Sequence, residues 1–427
     1  MNSFAQTGLF LLFGISSVLL PQLPTAQLPV TSWAPSPTSY GPQQWITCPP
    51  GAVDIQPGSS IQGSVNVYPA GTKFCLKAGL YFLNDSITPK TGNVFVGEYG
   101  AILDGTLWKT SDATQGAFRA HNQDINDVTI RNLVIRNMPQ RGIHAYPSAI
   151  FADPGAADRW TIEHNEIAQN LVGVVVTNGS VVRNNFIHHN VGNSTSSNYV
   201  LQGGGYQLYM ARDVVFEGNE ISYNGVNQKI VLSPNVTFRN NFVHHNLASG
   251  IWYDGENVGS LIEGNIVEDH AGTGIIYEVS GQAIIRDNTV RRSGENGIFI
   301  STSHNVEIYG NKLEHNFRGI NYFVNCTSVG SRNGGFIGEQ FYMQNVSSHD
   351  NTITVGPQNG AFATGFGYTS CTSRELDAYL NGSKRLTFAS NKYLVPSPGG
   401  RYWFWGGTKY WYQWQLLGQD VYSAVEP

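Results

Sequence analysis

Asp254 and Glu278 hold the same place in two consecutive, similar segments, Gly250-Ile251-Trp252-Tyr253-Asp254 and Gly274-Ile275-Ile276-Tyr277-Glu278. If such segments stack as neighbouring strands about 4.8 Å apart, the two carboxyl groups come to lie side by side. Carboxyls separated by roughly 5 Å serve as acid and nucleophile in retaining cleavage of a glycosidic bond, and rotamers that open the gap to about 7 Å suit the inverting route. Two adjacent acids cannot both ionise freely, so the more shielded one keeps its proton. Glu278, flanked by Ile276 and Phe299, is expected to be the proton donor, and Asp254, near Glu256, the nucleophile or base. The same oxygens would also suit a calcium ion, held by Asp254, Glu256 and Glu278 with Asp269 as a further donor. The reading adopted is an acid pair without a cofactor.

The elements that must position this pair follow from the repeats. Asn165, Asn185, Asn219, Asn241, Asn265, Asn288 and Asn311 each stand two places before an Ile, Val or Leu, in several cases as part of a hydrophobic pair, and several of the gaps are about 23 residues. One unit, running from Leu261 to Glu278, carries three short apolar–polar alternations separated by turns and no helical stripe. A single unit cannot bury its own apolar face, so the units must stack into an all-β solenoid. The asparagines are expected inside, bonding to one another and to turn carbonyls. Ile251, Tyr253, Ile275, Tyr277, Ile298 and Ile300 are expected to point inward as core.

Two outward columns then form around the pair. Trp252 aligns with Val175, Gln207, Val231, Ile276, Phe299 and Asn321; Asp254 aligns with Thr177, Tyr209, Ser233, Glu278, Ser301 and Phe323. Trp252, Tyr209 and Phe299 offer flat surfaces for sugar rings, and Gln207 and Asn321 offer amides to hydroxyls. His245 and His270 precede the turns into the two acidic strands, and His245 is expected to border the site. Lys229, one coil earlier, is the nearest cation for an acidic sugar.

The motif Asn-x-Val-x-x-Asn-x-x-x-Gly-Ile, seen from Asn241 to Ile251, resembles the right-handed parallel β-helix proteins of the pectate-lyase-like superfamily over roughly residues 90 to 395. The segments 70–81 and 89–101 are similar to the starts of secreted microbial members. The resemblance implies a right-handed parallel β-helix solenoid and a carbohydrate ligand. It leaves the reaction open, because the superfamily includes glycoside hydrolases, polysaccharide lyases, uronate epimerases and proteins without catalysis. The divisions expected are a signal peptide at 1–26, an N-terminal extension and cap at 27–90, the β-helix at 91–395 and an aromatic-rich C-terminal cap at 396–427. The last contains Trp414 and Asp420 in a Trp-x-x-x-Gly-x-Asp ending that resembles the closing segments of other proteins of this fold. Insertions after Asn190 and Val324 are expected to wall a groove.

The chain's 427 residues are 41% hydrophobic and 13% charged, with 48 glycines and a formal net charge of -5. Without any Lys/Arg block, this mild acidity argues against nucleic acid or an anionic membrane as partner. Leu9 to Leu20 is an apolar run followed by Pro21, Pro24 and Ala26, too short to span a bilayer, so secretion is expected with cleavage near Ala26. Glycan acceptor patterns at Asn84, Asn178, Asn193, Asn235, Asn325, Asn345 and Asn381 agree with that compartment. Cysteines 48, 75, 326 and 371 allow three pairings, of which sequence clustering favours Cys48–Cys75 and Cys326–Cys371. The expected protein is a secreted monomer hydrolysing a polysaccharide or oligosaccharide through Asp254 and Glu278. The alternatives are a lyase or epimerase drawing on Lys229, His245 and Arg292, and a non-catalytic carbohydrate-binding wall protein.

Overall fold

Three apolar–polar alternations per repeat become three strands per coil, and equivalent strands of successive coils pair in parallel. The computed structural model contains, among its described residues, two 13-stranded sheets and one 12-stranded sheet, each taking every third strand through most of its length. It describes residues 40–110, 112, 114–120, 124–145, 157–191, 203–326, 342–357 and 360–427. These belong to the unit Pro37–Pro427. The expected leader at 1–26, Asn193 and most of the two insertions lie outside the described residues. The architecture is the right-handed parallel β-helix that the repeats imply. Parallel pairing starts upstream of residue 91, at Val53–Ile55 against Lys73–Leu76, and the short helix Ile61–Val67 lies between those strands in sequence.

The inside is apolar at the strands and amide-lined at the turns. Tyr253, Tyr277, Ile298 and Ile300 are fully buried, as their alternation requires. Each asparagine amide at the first turn donates to the next coil's side-chain oxygen: Asn219 to Asn241 at 2.9 Å, Asn241 to Asn265 at 3.0 Å, Asn265 to Asn288 at 2.9 Å. That oxygen also accepts the preceding asparagine's backbone N–H, so both buried groups are satisfied. The ladder runs on through Asn311, Asn351 and Asn391 and ends on Asp420. A second ladder joins Asn170, Asn190, Asn224 and Asn246 at the next turn.

The outer face of the first sheet is ionic. Arg131, Glu163, Arg183, Glu217, Arg239, Glu263 and Arg286 stand in one register column with alternating sign. Ion pairs close between coils, with Arg183 2.7 Å from Glu163, Arg239 2.5 Å from Glu217 and Arg286 2.5 Å from Glu263.

Both ends are fastened. Disulfides join Cys48 to Cys75 and Cys326 to Cys371. At the C-terminal end Trp403–Trp405 extends the third sheet and Ala424–Glu426 the second, so the last residues both lengthen the solenoid and close it. Trp403 and Trp414 are fully buried there, and Trp414 donates to Asp420 at 2.9 Å, which accounts for the Trp-x-x-x-Gly-x-Asp ending. Closure matters at such an end, since an uncovered strand edge invites pairing with other chains.

Candidate active site

The third sheet brings the two acids together. Ile251–Asp254 and Ile275–Glu278 pair in parallel with Trp252 opposite Ile276 and Asp254 opposite Glu278. Asp254 and Glu278 alternate with buried Tyr253 and Tyr277, so both project outward. The carboxyl groups are in hydrogen-bond contact.

The contact has an electrostatic origin and consequence. Lys229 places its Nζ 2.9 Å from Asp254 Oδ2, with the Asp254 side chain 22% exposed. Trp252 donates its indole N–H to Glu278 Oε1 at 3.3 Å. The same ammonium lies 3.7 Å from the centre of the Trp252 ring. Four side chains therefore close a ring: Lys229 to Asp254, Asp254 to Glu278, Glu278 to Trp252, and Trp252 back to Lys229. Burial of its carboxyl, followed by the charge of Asp254 and the bond they share, pushes Glu278 from an ordinary 4.5 up to about 8; Lys229 and Trp252 oppose that rise. Glu278 is thus the protonated partner at neutral pH.

The expected surroundings divide into those present and those absent. Tyr209 is in the Asp254 column, through Val231 of the intervening coil. Its hydroxyl is raised by burial and then by Glu256. Gln207 stands beside Lys229, and its amide donates to Asn227 O at 3.0 Å. Phe299 and Phe323 are half-buried on the C-terminal side with ring centres 6.0 Å apart. Asn321 follows Phe299 in register, but it is buried and its amide donates to Asn296 at 3.1 Å.

Several expectations change. Ile230 pairs with Tyr253, so Lys229 stands beside Trp252 and Val231 beside Asp254, in place of the expected Val231 and Ser233. Ser233 is buried at the following turn, where its N–H donates to Asn257. Lys229 lies over the Trp252 ring, its ammonium 3.7 Å from the ring centre, so one face of the expected sugar platform is taken. His245 sits at the turn between the second and third sheets, bonded to His244 and stacked on Tyr223 at 5.0 Å. Its contacts are with that turn, and the acids are not among them. His270 is interior, its ring nitrogens placed at Val243 O and Asn246 N. Arg292 is held by Asp269 at 2.6 Å. Glu256 is buried and faces Tyr209 electrostatically, and among the described residues no group of three or more His, Cys, Asp or Glu could hold a metal ion.

Of the acceptor asparagines, Asn84, Asn235 and Asn381 are exposed, Asn178 and Asn345 partly so, and Asn325 is buried at 7% exposure. A glycan on Asn325 would require its strand to open.

A family model described as a right handed beta helix region matches residues 117–290. No curated protein matches the sequence. Among solved structures, the catalytic unit of a GH87 alpha-1,3-glucanase from Streptomyces thermodiastaticus strain HF3-3 is similar at 12% identity, over 86% of this chain and 69% of that one, with a TM-score of 0.50. The A-module of mannuronan C-5 epimerase AlgE6 from Azotobacter vinelandii is 14% identical over 86% of this chain and 89% of that one, with a TM-score of 0.49. At these identities the likeness is one of fold. Among the described residues, no helix is long and apolar enough to cross a membrane.

Proposed function

We propose that the chain is a secreted carbohydrate-active enzyme that hydrolyses a glycosidic bond, with Glu278 as proton donor and Asp254 as base or nucleophile. The observation that carries the reading is the stacked acid pair, one member ion-paired and the other protonated to about pH 8. Environments that push two carboxyls apart in this way divide acid from base at neutral pH. The carbohydrate class is supported by the rings of Phe299, Phe323 and Tyr209 on the same outward face and, as analogy only, by a glucanase of the same fold.

A lyase or epimerase acting on a uronate would need a cation against the sugar carboxylate. Lys229 is already committed to Asp254 and to the Trp252 ring, so an uncharged sugar at the pair is favoured. Secretion is supported by the two disulfides, which persist in oxidising compartments.

The test is Glu278→Gln and Asp254→Asn assayed on a glycan panel for new reducing ends and for the absorbance of unsaturated products. Hydrolysis predicts reducing ends alone, with each variant about 100-fold or more slower. Unsaturated products would replace it with elimination, and full activity in both variants would move catalysis elsewhere.

A further inference from the structure

We infer that Lys229 and Trp252 are positioning residues that decide which carboxyl of the pair holds the proton. The inference rests on the hydrolase reading for its kinetic consequence, but its physical content stands on the four-membered ring of contacts. A symmetric pair of acids would share its proton without preference. Here the symmetry is broken from one side of the sheet.

Lys229 reaches Asp254 across one coil boundary with a hydrogen bond of 2.9 Å, whereas on Glu278 it acts through its charge. Trp252, on the same strand as Asp254, sends its N–H forward to Glu278 at 3.3 Å. The ammonium on the indole face fixes the ring plane and so the direction of that N–H. One cation therefore acts twice, as counter-charge to Asp254 and as a clamp on the donor to Glu278. Among the described residues, the other titratable groups nearby are Tyr209, from the strand two coils before Asp254, and Glu256, from the turn after it, which acts on Tyr209. Neither supplies positive charge, and the next coil offers Ser301 opposite Glu278. Among the described residues, Lys229 is the cation that breaks the tie.

The arrangement gives each residue its own signature. Lys229→Met removes the counter-charge from Asp254 and the clamp from Trp252, so the alkaline limb of the rate profile, which Glu278 sets, should move to higher pH, by about one unit or more. Trp252→Phe keeps a ring for the ammonium and removes only the N–H, so the same limb should rise, and by less. Lys229→Arg should restore the wild-type profile in large part. A substrate contact would instead raise KM and leave the limbs in place.

The experiment uses the full chain and two independent readouts. Carboxyl-labelled protein titrated by carbon NMR, with the Glu278 signal assigned by its loss in Glu278→Gln, reports the proton without any substrate. The rate profile reports its effect on turnover. A Glu278 step that moves upward in both Lys229→Met and Trp252→Phe supports the inference even if Glu278→Gln retains activity, in which case the hydrolase reading fails by itself. A Glu278 step unmoved in both folded variants overturns the inference, whether or not Glu278→Gln is inactive.

Discussion

The outer faces of the first and third sheets solve the same problem in opposite ways. On the first sheet each acid stacks against a base, in the order Arg183, Glu217, Arg239, Glu263, Arg286. On the third, Asp254 stacks against Glu278. The spacing between coils is common to both, so geometry does not distinguish them. Sign does. Where signs alternate, every carboxylate finds a guanidinium on the neighbouring coil. Where two acids meet and one cation serves them both, a proton stays behind. A solenoid can thus convert a structural column into a reactive one by a single change of side-chain charge, without altering a strand.

The contrast can be broken most severely by restoring alternation. Glu278→Lys would leave Asp254 between two cations, its present partner Lys229 and the new ammonium on the next coil, which is the pattern of the first sheet. Turnover should fall about 100-fold to 10,000-fold, as removal of a general acid requires, while thermal unfolding at about pH 8 shows no loss of stability. Retained turnover would separate the reaction from the pair.

Next comes pH. Glu278 is an acid raised from 4.5 to about 8 on folding, so between those values the native state binds more protons than the unfolded chain. Its contribution is present in full below pH 4.5, declines as pH rises and is lost above about 8. Urea unfolding should show stability falling with pH through this window, by at most about 1.4 kcal/mol per pH unit. Glu278→Gln should flatten that slope and leave the protein relatively more stable above the window. A slope unchanged in the variant would place the proton elsewhere.

Disturbing the first sheet should do less. Glu217→Lys puts three cations in succession and should cost about 1–2 kcal/mol, more at low salt than high, with turnover unchanged. Arg286→Gln removes one partner of a partly exposed pair, and its cost should be about 0.5 kcal/mol by the same urea measurement. Activity lost in either variant would mean that the two faces communicate.

The solenoid is legible in the sequence because its signal is periodic: asparagine at the turn, an alternating triplet, then Gly-Ile. The register of Asp254 and Glu278 is legible for the same reason, since both coils carry the signature intact. One coil earlier the signature breaks. There Gln228 takes the inward place that Ile251 holds on the next coil, fully buried with its amide donating to Ser249 O at 2.7 Å and Gly250 O at 2.9 Å. A polar side chain in a core position hides the phase, so the motif matches Ile230 to the wrong partner and leaves Lys229 outside the columns. The alternating charges of the first sheet are open to view at the same coil spacing, since each lies on the strand just before a ladder asparagine. The role of Trp252 is not legible, because its indole direction depends on a cation that only the fold brings to its face.

The asparagine ladder has a direction. Every amide in it passes a hydrogen toward the C-terminal end, and Asp420 receives the last from Asn391 while also accepting from Tyr393 and Trp414. A carboxylate has nothing to hand on. An extra coil inserted between two asparagines would find a donor on one side and an acceptor on the other, whereas a coil added after Asp420 would find no donor. The molecule is therefore a polymer with a terminator: free to vary in length by duplication from within, and fixed at its far end by one residue.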